Sequence, residues 1–298
     1  MPNHAHENNK AQETIGQLTV AVIGAGGKMG LRVSANLQKS GHTVLYSENS
    51  PAGQERVRGF GREITPTDDA VKAADVVILA VPDVVLGKVS EGVVPQLKPG
   101  AILLTLDPAA AYAGLLATRD DVIQAVAHPC HPSVFLERTT KEEWADTFGG
   151  AGAPQNVVAA IDDDAPTAAR DRAEAVIRTM YAPVIDVHWV TVYQLAVLEP
   201  TLVETVACMI GTLLNEALHE TVHTVGVPEA AAKAMLFGHT QIALTNALRG
   251  SNPFSEACEI AIQYGKRTII KDDWKKIFQD TELDTVIAEM LKLEKVQQ

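Results

Sequence analysis

The chain has 298 residues, of which 46% are hydrophobic and 21% are charged, and its formal net charge at pH 7 is -12. This acidic balance opposes nucleic-acid binding, which needs clustered Lys and Arg to release counterions from phosphates. The three cysteines, Cys130, Cys208 and Cys258, are too few and too widely spaced for a disulfide framework or a zinc knuckle. We therefore expect a cytoplasmic, soluble protein of two domains that binds neither nucleic acid nor membrane.

The first 17 residues are polar and contain no apolar run, which predicts a disordered lead-in rather than a signal peptide. Residues 18–188 alternate short apolar runs with amphipathic segments, the pattern of an α/β domain with a Rossmann-type, doubly wound parallel sheet. The helices predicted between the strands include Met29–Ser40, Asp68–Ala73, with Thr67 or Asp68 as its N-cap, and Pro166–Met180. The predicted strands are Leu18–Ile23, Thr43–Glu48, Val76–Val81, Ile102–Leu106, Val122–Ala127, Val157–Ile161 and Val184–Val187.

Residues 189–298 predict an all-α domain for substrate binding and dimerisation. Its first part, Trp189–Val225, is long and apolar, but Gln194, Glu199 and Glu204 interrupt the run that a membrane helix would need. Further helices are predicted at Glu229–Leu248, Ser255–Tyr264, Asp272–Phe278 and Leu283–Val296.

A glycine-dense turn follows the first predicted strand and opens the first predicted helix. A phosphate at a helix N-terminus needs close backbone approach, which glycines permit, and the free N–H groups hold the anion. The spacing, G-x-x-G-x-x-G on Gly24, Gly27 and Gly30, departs by one residue from the usual G-x-G-x-x-G. The residues predicted to bind a dinucleotide are Gly24, Gly26, Gly27, Lys28, Met29, Gly30, Glu48, Ala80, Val81, Pro82 and Asp83.

Glu48 ends the second predicted strand, where an acid can accept hydrogen bonds from the adenosine ribose hydroxyls. It favours NAD over NADP, although Arg56 and Arg58 could partly compensate for a 2′-phosphate. Asp83 and Asp107 follow two other strands at the edge where α/β sheets bind ligands. Each is equally compatible with a ligand-binding role and with a turn cap.

Several motifs together resemble the β-hydroxyacid and 6-phosphogluconate dehydrogenase superfamily, beginning with the glycine turn, Gly41–Val44 and Ala80–Pro82. More specifically, the chain resembles the D-apionate oxidoisomerases within it. That second resemblance is carried by His128–Ser133, Phe237–His239, Phe254–Ala257 and Asp272–Trp274.

The resemblance implies an NAD-dependent oxidation of the 2-hydroxyl of a branched polyhydroxy acid, followed by an acyloin-type carbon shift to a 3-oxo acid. In this family the reaction converts D-apionate to 3-oxo-isoapionate. The chemistry is similar to that of ketol-acid reductoisomerase run backwards, which implies a divalent metal as well as NAD. The resemblance also implies a homodimer.

One departure from the superfamily concerns its general acid–base Lys and the Asn that follows it. This chain has no Lys or Arg between Arg178 and Lys233. The positions that correspond to the superfamily's Lys and Asn lie near Glu199 and Glu204. Two carboxylates in an apolar helix resist ionisation unless a metal or substrate neutralises them. We therefore predict Glu199 and Glu204 as metal ligands or acid–base groups, although five residues separate them by roughly 140° on an α-helix.

The loop after the fifth strand supplies His128 and His131, of which one or both are predicted to transfer protons, and His239 is a weaker candidate. Other functions stay open, among them a non-catalytic NAD-sensing protein, which would keep the glycine turn and Glu48. A plain NAD(P)-dependent 2- or 3-hydroxyacid dehydrogenase, without rearrangement, would share every motif of the first half. The sequence His219-Glu220-x-x-His223 also matches the zinc motif of metallohydrolases.

Overall fold

A computed structural model describes residues 16–250 and 252–296. The predicted lead-in lies almost wholly outside this range. The chain forms two compact units: the first holds the described residues up to Ala196 and those from Asp284 onward, and the second is Val197–Leu283. The predicted boundary after residue 188 is therefore too early, and the C-terminal residues belong to the first unit.

Packing and a hydrogen bond explain this division. Leu195 and Ala196 are buried, and Leu195 packs with Val126 and Ala160 of the sheet. The C-terminal residues are tied to the first unit by a 2.8 Å hydrogen bond from the Tyr112 hydroxyl to Asp284 Oδ1. Neither contact is visible in local sequence patterns, because both join distant parts of the chain.

The first unit contains a seven-stranded sheet with the strand order β2-β1-β3-β4-β5-β6-β7. All seven predicted strands are present, with ends that differ by a few residues. Strand β1 has β2 on one side and β3 on the other, so the strands that follow β2 are added on the opposite side of β1. Such a reversal is a topological switch point. The strands are β1 Thr19–Ile23, β2 Thr43–Ser47, β3 Val76–Leu79, β4 Ile102–Thr105, β5 Ile123–Pro129, β6 Gln155–Ile161 and β7 Val184–Trp189.

The sheet is not wholly parallel, because β6 runs antiparallel to β5. An antiparallel neighbour needs no crossover helix on a sheet face. The connection, residues 130–154, which we call the strap, contains only the short helix Lys141–Ala145. It therefore leaves and re-enters the sheet at the edge where β5 ends, which is also the edge of the glycine turn.

Helices cover both faces of the sheet. The helix α3 begins at Thr67 after Pro66 and has no side-chain cap, so the predicted capping role of Thr67 or Asp68 is wrong. The Thr67 hydroxyl instead pairs with that of Ser47, at 2.8 Å. The helices of the first unit are α1 Lys28–Leu37, α2 Pro51–Gly59, α3 Thr67–Ala73, α4 Asp83–Val93, α5 Ala109–Tyr112, α6 Lys141–Ala145, α7 Thr167–Met180 and α8 Val192–Ala196. The C-terminal helix, α12 Asp280–Leu291, belongs to this unit from Asp284 onward.

The second unit is helical, as predicted. It begins with a π-helical segment, Val197–Cys208, which contains Pro200. Proline lacks the N–H that an α-helical ladder requires at that position. The helices α9 Met209–His223, α10 Glu229–Arg249 and α11 Glu256–Ile269 follow, with a 3-10 turn at Trp274–Phe278.

One helical run, Val192–His223, is long and apolar enough to cross a membrane by length and composition alone. Its most apolar 18-residue window has a mean hydropathy of 1.5, and 17% of that window is buried. The polar residues within the run therefore do not lower its hydropathy as much as the sequence analysis expected.

Candidate active site

The glycine turn brings the end of β1 against the end of β3. Gly24 has a φ of +83°, and a Cβ placed on it would lie 2.6 Å from the Ala80 carbonyl oxygen and 2.9 Å from Val81 Cγ1. Only glycine combines this backbone conformation with so close an approach. The turn and the predicted residues Ala80 and Val81 are therefore direct neighbours.

Gly30 allows α1 to pack on the turn that precedes it. A Cβ here would lie 2.1 Å from the Gly24 carbonyl oxygen and 2.8 Å from Ala25 Cα. We expect Gly30→Ala to lower the free energy of unfolding by about 1–3 kcal/mol, because backbone atoms have to move. Thermal and urea unfolding would measure this loss.

Gly92→Ala is the matched control for that prediction. Gly92 lies in α4, and a Cβ on it would meet nothing within 4 Å. Because the space around this helical glycine is open, Gly92→Ala should leave the free energy of unfolding unchanged or raise it by up to about 1 kcal/mol. Equal unfolding curves for the two variants would show that the close approach at Gly30 is unimportant.

The first turn of α1 is suited to an anion. Gly27 is its N-cap and offers no side-chain acceptor, and the first turn contains no acidic residue. The N–H groups at the start of a helix have no partners within the helix, and the helix dipole adds positive potential there. Lys28, the first residue of α1, is exposed and adds a formal positive charge.

Glu48 stands beside this turn, just after β2. Its Oε2 accepts from Gly26 N–H at 3.0 Å, and its Oε1 accepts from the backbone and hydroxyl of Ser50 at 2.9 and 3.0 Å. Burial alone would raise its pKa, but the hydrogen bonds from Ser50, Gly26 and Asn49 outweigh burial and hold the pKa below its usual value. Glu48 is thus an ionised acceptor held against the glycine turn.

The end of β3 continues the same edge. Pro82 precedes α4, and Asp83 is the first residue of that helix. Burial raises the pKa of the Asp83 carboxyl above its usual value. Asp83 thus lies at the carboxyl edge of the sheet, and no side-chain cap hydrogen bond is present at the start of α4, so the capping alternative finds no support there.

Asp107 and His128 form a pair at the ends of β4 and β5. A carboxylate oxygen of Asp107 and a ring nitrogen of His128 lie within 4.8 Å of each other. Asp107 Oδ1 accepts from Ala109 N–H at 2.8 Å, so Asp107 also stabilises the turn that precedes α5. The sequence predicts both residues at this edge of the sheet, but no sequence pattern indicates that they pair.

The tautomer of His128 follows from its backbone contact. Its Nδ1 lies 3.1 Å from the Leu106 carbonyl oxygen, which can only accept a hydrogen bond. Nδ1 therefore carries the proton, and Nε2 has the lone pair. Burial, the largest influence, lowers the pKa of His128 to about 4, so the ring is neutral at pH 7. A neutral imidazole whose other nitrogen is bonded to a carbonyl is the usual form of a metal-binding histidine.

His131 lies on the strap, near His128, with 6.4 Å between the ring centroids. Its Nδ1 lies 2.9 Å from the Phe148 carbonyl oxygen, which also accepts a hydrogen bond from Arg32. The Phe148 ring meets that of His131 edge-on, at 5.2 Å. Sequence reasoning missed Arg32 and Phe148 because no local motif marks a contact between residues 116 positions apart.

The other predicted site residues lie in the second unit. Glu199 is 5% exposed, in the π-helical segment, whereas Glu204 is exposed. The i→i+5 hydrogen bonds of a π-helix change the angular separation expected for an α-helix. His239 bonds to the Met235 carbonyl oxygen at 2.9 Å and lines an apolar cleft of about 420 Å³ between α9 and α10.

The zinc-motif residues are also in the second unit. The rings of His219 and His223 are 4.4 Å apart, and both are exposed. Glu220 accepts a hydrogen bond from the Thr224 hydroxyl at 2.6 Å. Within residues 16–250 and 252–296, no third carboxylate, imidazole or thiol joins the two rings within 4.8 Å. The geometry therefore gives the metallohydrolase alternative no support.

A doubly wound sheet, a glycine turn at a helix N-terminus and an acid after the next strand define the class of dinucleotide-binding oxidoreductases. Family models agree with this class. Residues 14–182 match the acetohydroxy acid isomeroreductase NADPH-binding domain, and residues 136–291 match the C-terminal domain of decarboxylating phosphogluconate dehydrogenase. The hydroxyacid dehydrogenase superfamily expected from the sequence is thereby confirmed.

Individual relatives define the family more closely. The chain is 63% identical to a D-apionate oxidoisomerase from Pectobacterium atrosepticum over 94% of this chain and 98% of the relative. It is 42% identical to one from Cupriavidus necator over 89% and 96% of the two chains. This chain belongs to the D-apionate oxidoisomerase family and is an oxidoreductase.

A solved structure supports the same fold. The semialdehyde dehydrogenase NAD-binding protein from Cupriavidus necator, in complex with calcium and NAD, is 41% identical to this chain and has a TM-score of 0.89. The match covers 92% of this chain and 100% of the other.

Proposed function

We propose that this chain is an NAD-dependent oxidoisomerase that converts D-apionate to 3-oxo-isoapionate. The observation that carries the proposal is the common sheet edge, which holds the phosphate-binding turn, Glu48, and the Asp107–His128 pair at the ends of neighbouring strands. Membership of the oxidoisomerase family supplies the substrate class. We also propose a cytoplasmic location.

NAD is the proposed dinucleotide because Glu48 would repel a 2′-phosphate. Arg56 lies at the same turn, where its Nε donates to the Gly26 carbonyl oxygen at 2.8 Å. We expect Glu48→Gln to raise KM for NAD about tenfold and to narrow the preference over NADP, since the ribose acceptor loses its charge. Initial rates with both dinucleotides would measure the change, and an unaltered NAD/NADP ratio would contradict this role.

A divalent cation is the second proposed cofactor. The donor set of Asp107 and His128 fits such an ion, because it combines a carboxylate oxygen with a neutral imidazole fixed by the Leu106 carbonyl. Calcium in the Cupriavidus necator structure supports this proposal. When bound, the ion would polarise the 2-oxo group and the adjacent hydroxyl of the substrate.

The oxidation removes a hydride from C2 and a proton from its hydroxyl. NAD supplies the hydride acceptor. Burial makes protonation of His128 unfavourable at neutral pH, so we assign the proton transfer to His131, whose ring lies next to that of His128. His131 Nε2 would take the hydroxyl proton, and Asp107 and His128 would hold the cation.

The carbon shift that follows needs no redox partner. The C3 hydroxyl loses a proton and becomes the new carbonyl, a carbon substituent moves with its bonding electrons from C3 to C2, and the former C2 carbonyl oxygen gains a proton. His131, protonated by the first step, is suited to return a proton. Glu199 and Glu204 remain predicted as metal ligands or acid–base groups.

Incubation with NAD and D-apionate, with and without EDTA, tests the proposed function. We expect NADH formation and, by NMR, a rearranged 3-oxo acid only when the metal is present. An unrearranged 2-oxo acid would instead support a plain hydroxyacid dehydrogenase. No NADH with D-apionate would overturn the substrate assignment.

We propose further that the helical unit pairs with a second copy of the chain. Within the described residues, α9 and α11 bury no side chain and α10 buries only Ala232. Most helices in proteins are stabilised by packing of an apolar face, and a large exposed apolar surface marks an interaction site. The exposed large apolar residues of the unit are Leu202, Val203, Met209, Ile210, Val225, Met235, Phe237, Ile242, Leu248, Ile260, Tyr264, Ile269, Ile270, Trp274 and Phe278.

Light scattering on a sizing column tests the pairing. We expect twice the chain mass for the natural protein. Phe237 is 64% exposed, and Phe237→Asp should shift the protein to monomer or aggregate. The control is Phe60→Asp, which alters a similarly exposed phenylalanine of the first unit. A monomer that binds lipid vesicles would instead assign the apolar helices to a membrane.

A further inference from the structure

The strap is fastened to α1 through three consecutive carbonyl groups. Arg32 Nη2 donates to the carbonyl oxygens of Phe148 and Gly149, and Asn36 Nδ2 donates to that of Gly150 at 2.9 Å. Asn36 Nδ2 also donates to the Ala182 carbonyl oxygen at 3.0 Å. Two polar side chains of the phosphate-binding helix therefore fix the strap where it returns towards β6.

The Phe148 carbonyl joins this fastening to His131. The same oxygen accepts from Arg32 and lies 2.9 Å from His131 Nδ1. Because a carbonyl oxygen can only accept, the proton of the neutral ring is on Nδ1, and Nε2 is the basic nitrogen. The edge-on Phe148 ring, at an interplanar angle of 82°, restricts rotation of the imidazole.

The backbone of His131 is held in an unfavourable conformation. Its φ is +59°, in the left-handed region, which is unfavourable for a residue with a Cβ. Such a conformation persists only when surrounding contacts determine it, and such residues are concentrated at functional sites. The hydrogen bond to Phe148 is one of these contacts.

Arg32 is well suited to hold this arrangement. Its guanidinium lies 5.0 Å from the Phe148 ring centroid, and Lys28 Nζ lies 4.9 Å from the same centroid. Burial lowers the pKa of Arg32, but a guanidinium stays charged in a protein. A charged donor makes a stronger hydrogen bond than a neutral one, and partial burial strengthens it further.

We infer that Arg32 is a positioning residue, which sets the ring orientation and the Nδ1–H tautomer of His131 through the shared Phe148 carbonyl. This inference rests on the proposed function for the proton transfer that His131 Nε2 performs. It adds a role for α1 beyond phosphate binding, because the same helix fixes the group that takes the substrate proton.

Arg32→Met tests the inference, because methionine keeps an apolar stem and removes the donors. We expect kcat to fall about tenfold or more, since small errors in placing a proton acceptor are costly, with KM for NAD changed less than about twofold. In ¹⁵N NMR of labelled protein, the His131 signals should move from the pure Nδ1–H pattern towards a tautomer mixture. The His131→Asn variant identifies those signals, because they are missing from its spectrum.

Arg138→Met is the matched control. Arg138 also lies on the strap, donates to a backbone carbonyl, that of Trp144, and stacks on the Trp144 ring at 5.4 Å. It makes no contact of this kind with His131, so both kcat and the His131 tautomer should stay as in the natural protein. If Arg32→Met does not fold, Arg32→Lys, which keeps the charge but fewer donors, should shift the tautomer and kcat in the same direction.

The NMR measurement separates failure of this inference from failure of the proposed function. An unchanged His131 tautomer in the folded Arg32 variants would overturn the inference, whatever the activity. A rise in KM for NAD with unchanged kcat would overturn it as well, and would assign Arg32 to cofactor binding. If D-apionate is not turned over, the proposed function fails, whereas the tautomer shift still measures the positioning of His131.

Discussion

Asp107→Asn and His128→Asn should each lower turnover of D-apionate by about 100-fold or more, with at least tenfold weaker activation by a divalent cation. The reason is the donor set, a carboxylate oxygen and a neutral imidazole within 4.8 Å of each other. Both substitutions keep the structural hydrogen bonds. An Asn at 107 still accepts from Ala109 N–H, and an Asn amide can replace Nδ1–H of His128 as donor to the Leu106 carbonyl.

Steady-state rates over a titration of Mg²⁺, Mn²⁺ or Ca²⁺ would measure both effects. His188→Asn is the control, because His188 is an exposed histidine of β7 that pairs with Asn156 Oδ1 at 3.3 Å. Its kinetics should match those of the natural protein. Full turnover in either the Asp107 or the His128 variant, at the natural metal dependence, would remove the pair from the proposed site.

Features with a local cause could be predicted from the sequence. The central strands could be predicted because buried parallel strands are continuous apolar runs, as in β3 and β4, whose residues are all buried. The glycine turn was found because steric demands restrict Gly24 and Gly30 to glycine. Family-specific motifs such as His128–Ser133 supplied the function, which composition and periodicity could not.

Features that depend on distant contacts could not be predicted in this way. The antiparallel return of β6 is set by the path of the strap, and no periodicity in the sequence records it. The same path brings Phe148 to Arg32 and His131, so the environment of a predicted residue was missed although the residue itself was named. The domain boundary was misplaced for the same reason, because the burial of Leu195 is a tertiary effect.

The sequence predicts both Glu199 and Glu204 as candidates, and burial separates them. Glu199 is 5% exposed, whereas Glu204 is exposed. A carboxylate is costly to bury unless a cation or hydrogen bonds compensate it, so a buried one in an apolar segment needs a reason. Glu199 also lies within a π-helical segment, and such segments are frequent at functional sites.

We therefore expect Glu199→Gln to lower turnover of D-apionate by about 100-fold and Glu204→Gln to change it by less than about twofold. Both variants conserve side-chain size and remove one charge, so each is the control for the other. Thermal unfolding distinguishes catalysis from folding. If Glu199 serves the chemistry, its amide variant should be as stable as the natural protein or more so, because removing a buried charge relieves a desolvation cost. Full turnover in both variants would mean that neither carboxylate takes part, and that the replacement of the superfamily lysine has no catalytic meaning in this chain.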